Sequence, residues 1–467
     1  MNKENFIQQS PFAIGNVRRF IAFRAFFNAR FYYPVFTILF LDFGLTLTQF
    51  ALLNVVWAVT IVLLEVPSGA LADTLGRKNL LVFAGALMVA EIALLCFAPR
   101  DNPRWLFGVF LLNRIFSGTA EASASGADEA LAYDALKSAG NADDWGRVLE
   151  MQMRVQSAAY IAVMIIGAAV YDPVLMQHAA GWIGLNVTVT QGMTLRFPLY
   201  LTLLMALLTL FTTIRMQEVE RTADPECTAV EGCARSMARA FRLTFQAGGW
   251  ILRTPFALVI VLFGLLFDHI IRMLITLGSQ YYRLIELPEA SFGLIGSAMA
   301  TLGLFIPRLA MQLVRRHSPA FNMCLMAGLT LIGLIGMTLF LPFAGLIPVM
   351  VLMSVMYFMG FFVSHYLNRI TESHQRATVL SFKGLSFNLA YGLIGLLYSL
   401  LLYTLRYRAT ASGGPIHADN LQNQIFTASL SWFPGYFILA LALLLWFAHR
   451  RLTNTRDHLT ADLPANR

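Results

Sequence analysis

Apolar residues run for about twenty positions at a time along this chain, separated by short polar islands, and the alternation repeats twelve times. The runs fall near residues 19–41, 50–70, 79–98, 104–126, 154–172, 194–215, 254–282, 291–313, 320–341, 345–367, 377–404 and 428–449. A helix needs about 20 mostly apolar residues to cross the hydrocarbon core of a bilayer. Inside lipid, a helix satisfies its own backbone without help from neighbours. The pattern predicts an all-α integral membrane protein with twelve transmembrane helices and no need of strands. The longest polar interruption, 216–253, splits the helices six and six, so the predicted domains are an N-terminal six-helix bundle (1–215), a cytoplasmic interdomain linker (216–253) and a C-terminal six-helix bundle with its tail (254–467). Within the linker, Arg235, Arg239 and Arg242 interleave with Met237, Phe241 and Phe245. That is the pattern of an amphipathic helix on an anionic membrane surface, and a solvated basic loop is the alternative.

Composition agrees with the pattern. The 467 residues are 57% hydrophobic and only 13% charged, with a mean hydropathy of +0.63, against about 25% charged residues in soluble domains. The net charge of +8 would suit a nucleic-acid partner. In a membrane chain it has a simpler source, because Lys and Arg collect in cytoplasmic loops. Threading twelve helices places Arg18 and Arg19, Arg77 and Lys78, Lys137 and Arg147, Arg315 and Arg316, Arg369 and Arg376, and Arg450 and Arg451 on one side. Both termini are therefore expected in the cytoplasm, with the first apolar run retained rather than cleaved. The partners expected are the lipid bilayer and a small-molecule substrate, with no nucleic acid. The four cysteines, Cys96, Cys227, Cys233 and Cys324, follow no metal-ligand spacing and read as free thiols, with no metal expected.

Ionisable groups at bilayer depth are costly and mark functional candidates. The first half holds most of them: Arg24, Asn28 and Arg30 in the first run, Glu65 in the second, Glu91 in the third. Arg24 and Glu65 lie near helix ends, where snorkelling is the plain alternative. In the fourth run Arg114, Gly118, Glu121, Ser125 and Asp128 follow at steps of four, three, four and three, along one predicted helix face. Beside them Gly118, Ala122, Gly126 and Ala130 form a small-residue ladder for close helix packing. A charged stripe cannot face lipid, so it should line the bundle interior or a water path; simple helix-to-helix pairing of Arg114 and Glu121 is the structural alternative. In the second half Asp268 and Arg272 are spaced to pair at i,i+4. His269 either titrates or packs, and Asn388 and Tyr391 add polar positions for a cavity.

The stretch Pro67-Ser68-Gly69-Ala70-Leu71-Ala72-Asp73-Thr74-Leu75-Gly76-Arg77-Lys78 is too ordered for an ordinary loop: two glycines suited to close approach and a tight turn, one carboxylate, then paired cations. Its counterpart in the second half, 307–316, ends in Arg315 and Arg316 but lacks the glycines and the aspartate. The chain lacks G-x-x-x-x-G-K-[ST], a nucleophile elbow and H-E-x-x-H, so no bond-making chemistry is expected of it.

Gly69-x-x-x-Asp73-x-x-Gly76-Arg77-Lys78 resembles the signature loop between helices two and three of the major facilitator superfamily, the twelve-helix secondary transporters. The resemblance implies a fold of two pseudo-symmetric six-helix bundles and a cytoplasmic charge relay that gates inward and outward states, carried here by Asp73, Arg77 and Lys78. Thr74 departs from the usual basic residue. Arg114-x-x-x-Gly118 is similar to the family motif in which a buried arginine is associated with proton coupling, which would give Arg114 that role, with Glu121 and Asp128 as its carboxylates. The helix-five Gly-Pro signature of drug antiporters is not matched at Ile165-Ile166-Gly167-Ala168-Ala169, whereas Arg376-Ala377-Thr378-Val379-Leu380-Ser381 resembles a boundary of bacterial efflux-type members. The expectation is a monomeric, multi-pass transporter of the cell (inner or plasma) membrane, exporting a small solute by alternating access, with no cofactor beyond a proton gradient. The rivals are an importer or uniporter of the same fold and a non-transporting polytopic protein.

Overall fold

The computed structural model describes residues 10–139, 144–218, 229–371, 376–411 and 418–461, which are helical almost throughout and contain no strand among the described residues. Two compact units emerge. One comprises Met1–Gly44, Val59–Ala240 and Pro288–Ser297, the other Leu45–Ala58, Phe241–Leu287 and Ala298–Arg467.

In the first unit the helices are α1 (Gly15–Phe27), α2 (Phe36–Phe43), α3 (Leu47–Thr74, from Val59 onward), α4 (Arg77–Cys96), α5 (Pro103–Ala124), α6 (Ala127–Ser138), α7 (Trp145–Tyr171), α8 (Pro173–Trp182), α9 (Gln191–Thr194) and α10 (Phe197–Ile214). Then come α11 (Ala229–Arg253), α12 (Pro255–Thr276), α13 (Gly278–Leu284), α14 (Phe292–Arg316), α15 (Pro319–Thr338), α16 (Leu346–Ile370), α17 (Arg376–Ala411), α18 (Ala418–Leu430) and α19 (Trp432–Ala461), which from Phe241 onward build the second unit together with Leu45–Ala58, except for the start of α14 up to Ser297, which belongs to the first. Ten helices among the described residues are long and apolar enough to cross a membrane. The two other predicted runs correspond to the pair α1 and α2, which is broken in the middle, and to α5, which carries the charged stripe.

Small residues set the helix spacing, as expected where lipid supplies no hydrophobic drive between helices. A Cβ on Gly85 of α4 would lie 3.1 Å from the Leu210 backbone of α10, and one on Gly264 of α12 would lie 2.7 Å from the Phe387 ring of α17. The first unit's core joins Phe23 and Phe27 of α1, Leu81, Ala84 and Met88 of α4, Ala120 of α5 and Ala206 of α10. The second unit's core joins Ile251, Leu258, Val261, Leu367 and Val379.

Several predicted helices are interrupted, and two of the interruptions matter for the charges. The first run stops at Phe27 and resumes at Tyr33, leaving Arg30 in the gap. Asn28 turns its side-chain amide onto the Arg24 carbonyl at 2.8 Å, and Phe31 N–H donates to Thr202 Oγ1 at 3.0 Å. Pro34, which has no N–H to offer, starts the next turn. Backbone N–H groups of the gap are thus taken up by turn carbonyls, with Ala29 bonded to Phe26, Arg30 to Asn28 and Tyr33 to Arg30, and at Phe31 by a side chain. The fourth run ends at Ala124: Ser125 is extended and Gly126 is left-handed at φ 76°. The single stripe from Arg114 to Asp128 expected of a continuous helix is therefore split, with Asp128 in the first turn of α6. A glycine at positive φ ends a helix because a Cβ is strained there.

Candidate functional site

The first unit carries three arginine-centred groups rather than one stripe. Arg30, 2% exposed, pairs with Glu91, fully buried on α4. Its Nη1 also reaches the Tyr32 hydroxyl at 3.4 Å, while Arg30 Nη2 and Glu91 Oε2 lack hydrogen-bond partners. Asn113 of α5 donates to the Glu91 backbone carbonyl at 2.9 Å and so ties α5 to this spot. Glu121 on α5 lies within electrostatic reach of Arg30 and Glu91, is exposed, and its carboxylate has no hydrogen bond or ion pair among the described residues. Arg30 thus pairs with a sealed carboxylate and lies within electrostatic reach of an exposed one.

Arg114, 4% exposed, is in different company. Its Nε donates to Asn113 Oδ1 at 3.1 Å and its guanidinium lies over the Phe36 and Phe40 rings of α2, 5.2 and 5.1 Å from their centroids. It pairs with neither Glu121 nor Asp128. The aromatic faces offset part of the cost of its charge.

Asp128 binds Arg24 of α1, with Arg24 Nε at 2.5 Å from Asp128 Oδ2, and Glu129 holds the same arginine at 2.7 Å. Burial pushes the Asp128 carboxyl up to about 6, against the opposing pull of Arg24 and of the Glu129 backbone N–H. Arg24, for which snorkelling is the plain alternative, is held by two carboxylates.

The loop ahead of α4 is a capped helix start. Gly76 has φ 92°, and a Cβ there would sit 3.0 Å from the Glu218 carboxylate. That carboxylate accepts the Arg77 and Lys78 backbone N–H groups at 3.1 and 2.8 Å, placing a negative charge on the positive end of α4. The Arg77 side chain binds Asp134 of α6 at 2.5 Å. Gly69, expected to help make the turn, lies inside α3 with open space around it, so Gly76 alone makes the reversal. The Asp73 side chain lies outside the described residues. Glu218 and Asp134 were missed by sequence reasoning, because their partners are 140 and 57 positions away.

In the second unit four predicted residues meet. Arg272 Nη2 pairs with Asp268 at 2.7 Å, its Nη1 donates to Asn388 Oδ1 at 3.0 Å, and its guanidinium lies 5.4 Å from the Tyr391 ring centroid. Tyr391 and Thr276 hydroxyls are 3.0 Å apart, and Trp57 meets Tyr391 edge-on at 6.4 Å. Lys383 lies within electrostatic reach of Asp268. His269 stands apart, with Nδ1 at 2.5 Å from the Leu265 carbonyl and Nε2 at 3.0 Å from the Tyr436 hydroxyl, a hydrogen-bonded packing position.

A broken first helix, buried guanidinium pairs and the capped turn before α4 accompany a sequence match to the family described as Major Facilitator Superfamily over residues 20–395. The chain belongs to that superfamily. Among curated proteins no sequence matches it. Solved structures with the same fold include a bacterial homolog of the human lysosomal transporter Spinster (TM-score 0.64, 13% identity, covering 95% of this chain and 96% of that one). Others are the nucleoside transporter NupG (0.64, 13%, 94% and 99%) and a D-xylose-proton symporter (0.58, 14%, 93% and 96%). At such identities the likeness shows the fold alone: a multi-pass membrane protein with the superfamily's transporter architecture.

Proposed function

We propose that this superfamily member is a proton-coupled secondary transporter that exports a small organic or amphipathic solute by alternating access of two six-helix halves, 1–215 and 254–467, joined by 216–253. It acts as a monomer in the cell (inner or plasma) membrane with both termini cytoplasmic. The observation that carries this reading is the grouping of Arg30, Glu91 and Glu121: one guanidinium, one sealed carboxylate and one carboxylate open to solvent. Two carboxylates beside one cation leave a surplus negative charge at bilayer depth, and a proton on Glu121 cancels it. Glu121 is thus the group placed to load and release a proton, with Arg30 as the partner that responds. Arg114, with no carboxylate partner among the described residues, orders α2 against α5. Asp268, Arg272, Asn388 and Tyr391 supply polar contacts for the solute, and Asp73, Arg77 and Lys78 gate on the cytoplasmic side.

A thermal-shift screen of the purified protein against metabolites and drugs identifies a ligand, which is then loaded into proteoliposomes under imposed pH gradients of either sign. Flux of that compound should follow the gradient, run against the proton in direction, and lose its dependence on the gradient in Glu121→Gln. Flux indifferent to the gradient in the parent protein overturns the coupling, and flux in the same direction as the proton overturns export.

A further inference from the structure

Between Asp172 and Arg196 the chain has no Asp, Glu, Lys or Arg, although this stretch connects two spanning helices, α7 and α10, and lies outside both. It is an ordered hairpin. Asp172 Oδ1 caps α8 through the Val174 and Leu175 N–H groups at 2.8 and 3.1 Å, and its Oδ2 accepts the Ala290 N–H at 3.0 Å. At the other end Gly184, at φ 74°, reverses the chain, and Leu185 N–H returns to the Ala180 carbonyl at 2.9 Å. The returning strand of chain is then clamped by one side chain: Gln177 Nε2 donates to the Val187 carbonyl at 3.0 Å, and Gln177 Oε1 accepts the Val189 N–H at 2.7 Å.

This order is not matched by burial. No residue of α8 is buried, and large apolar side chains are presented outward among the polar Gln177, His178 and Asn186: Trp182 is 86% exposed, Ile183 73%, Val174 64% and Leu185 52%. A connection standing in water would ordinarily carry charge. A clustered, uncharged apolar surface of this kind marks a contact site. Three observations identify the occupant as the bilayer itself. The hairpin springs directly from the end of α7 and leads into α10, and the outward faces of these two helices, with Ile166 on α7 and Leu204 and Phe211 on α10, are themselves exposed and belong to the lipid-facing surface, which the hairpin continues. The most exposed residue is a tryptophan, the side chain that favours the boundary between headgroups and acyl chains. With no Lys or Arg and His178 as its one titratable side chain, the stretch offers an apolar attraction rather than the polybasic one that anionic headgroups favour.

We infer that residues 173–190 form an interfacial membrane element whose Trp182, Ile183 and Leu185 insert at the headgroup–acyl boundary, independently of anionic lipid. By holding Asp172 in place, the element would also anchor the Pro288–Ser297 segment that Asp172 binds.

The test uses the full chain with its four native cysteines replaced and a single cysteine at Trp182, labelled with bimane and reconstituted into nanodiscs. A second version with Asn186→Cys keeps Trp182 and guards against a folding defect, and a label at Lys137, exposed on α6, is the water-facing reference. Nitroxide carried high on the lipid acyl chain should quench the hairpin labels several-fold more than the reference, while iodide quenches them several-fold less. The result should be the same in purely zwitterionic and in anionic nanodiscs. Iodide quenching equal to the reference overturns the proposal by leaving the hairpin in water, and protection from both quenchers overturns it in favour of a protein contact. Lipid quenching only with anionic lipid would overturn the apolar mode of attachment.

Discussion

The Arg30–Glu91 pair of the first unit and the Arg272–Asp268 pair of the second are chemically alike, yet they are held differently. Arg30 and Glu91 are 2% and 0% exposed and come from α4 and the gap after α1. Arg272 and Asp268 are 28% and 12% exposed and lie one turn apart on a single helix. Between these extremes is Arg24–Asp128, with a 27% exposed arginine on a 2% exposed carboxylate. The gradation teaches what each pair can do. A sealed pair keeps its charges only while both partners remain, since an uncompensated buried charge is far costlier than a screened one. An open pair can trade a partner for water or solute at little cost.

The largest effect is expected at the sealed pair. Glu91→Gln, which strands Arg30, should destabilise the protein by about 3–5 kcal/mol, read as a large fall in apparent melting temperature in detergent. Replacing both residues by Met should recover most of that loss. If Glu91→Gln melts like the parent, the sealed and open pairs are not different in kind.

At the intermediate pair the measurement is a pH series. Folding raises Asp128 from its ordinary 3.8 to about 6, so the folded chain holds this proton more tightly than the unfolded chain. The stabilising contribution is full below 3.8 and is lost as pH rises through about 6. Between about pH 4 and pH 7.5 the parent should lose up to about 3 kcal/mol that Asp128→Asn does not lose. Parallel melting curves for the two proteins across that window would place Asp128 with the open pair.

The capped turn tests backbone rather than charge. Gly76→Ala should cost about 1–3 kcal/mol, because a Cβ at positive φ is strained and meets the Glu218 carboxylate; Gly69→Ala, in open space within α3, should melt like the parent or slightly higher.

The smallest change in stability is expected at the open pair. Asp268→Asn should cost about 1 kcal/mol or less, since Arg272 retains Asn388 and the Tyr391 face, while binding of a ligand found by thermal shift should weaken. A stability loss as large as that of Glu91→Gln would erase the distinction between the units.

Length and spacing of the apolar runs by themselves determined the helical membrane class and the approximate places of the spans, because a bilayer imposes one length scale and one way of satisfying the backbone; the superfamily was legible only through its resemblance in the stretch from Gly69 to Lys78 and at Arg114 and Gly118. The i,i+4 pairing of Asp268 with Arg272 was equally local and equally legible. What only the tertiary structure decided are the partners drawn from distant helices: Glu91 for Arg30, Arg24 for Asp128, Glu218 and Asp134 for the turn before α4. The stripe from Arg114 to Asp128 shows the reason. Its period assumed an unbroken helix, and a single glycine at position 126, whose φ no periodicity reveals, turns the chain and takes Asp128 to Arg24, away from Arg114 and Glu121, which stay on α5. Spacing along a helix is a property of the sequence. Which charge a helix face meets is a property of the packing, since it depends on where another helix, a hundred residues away, comes to rest.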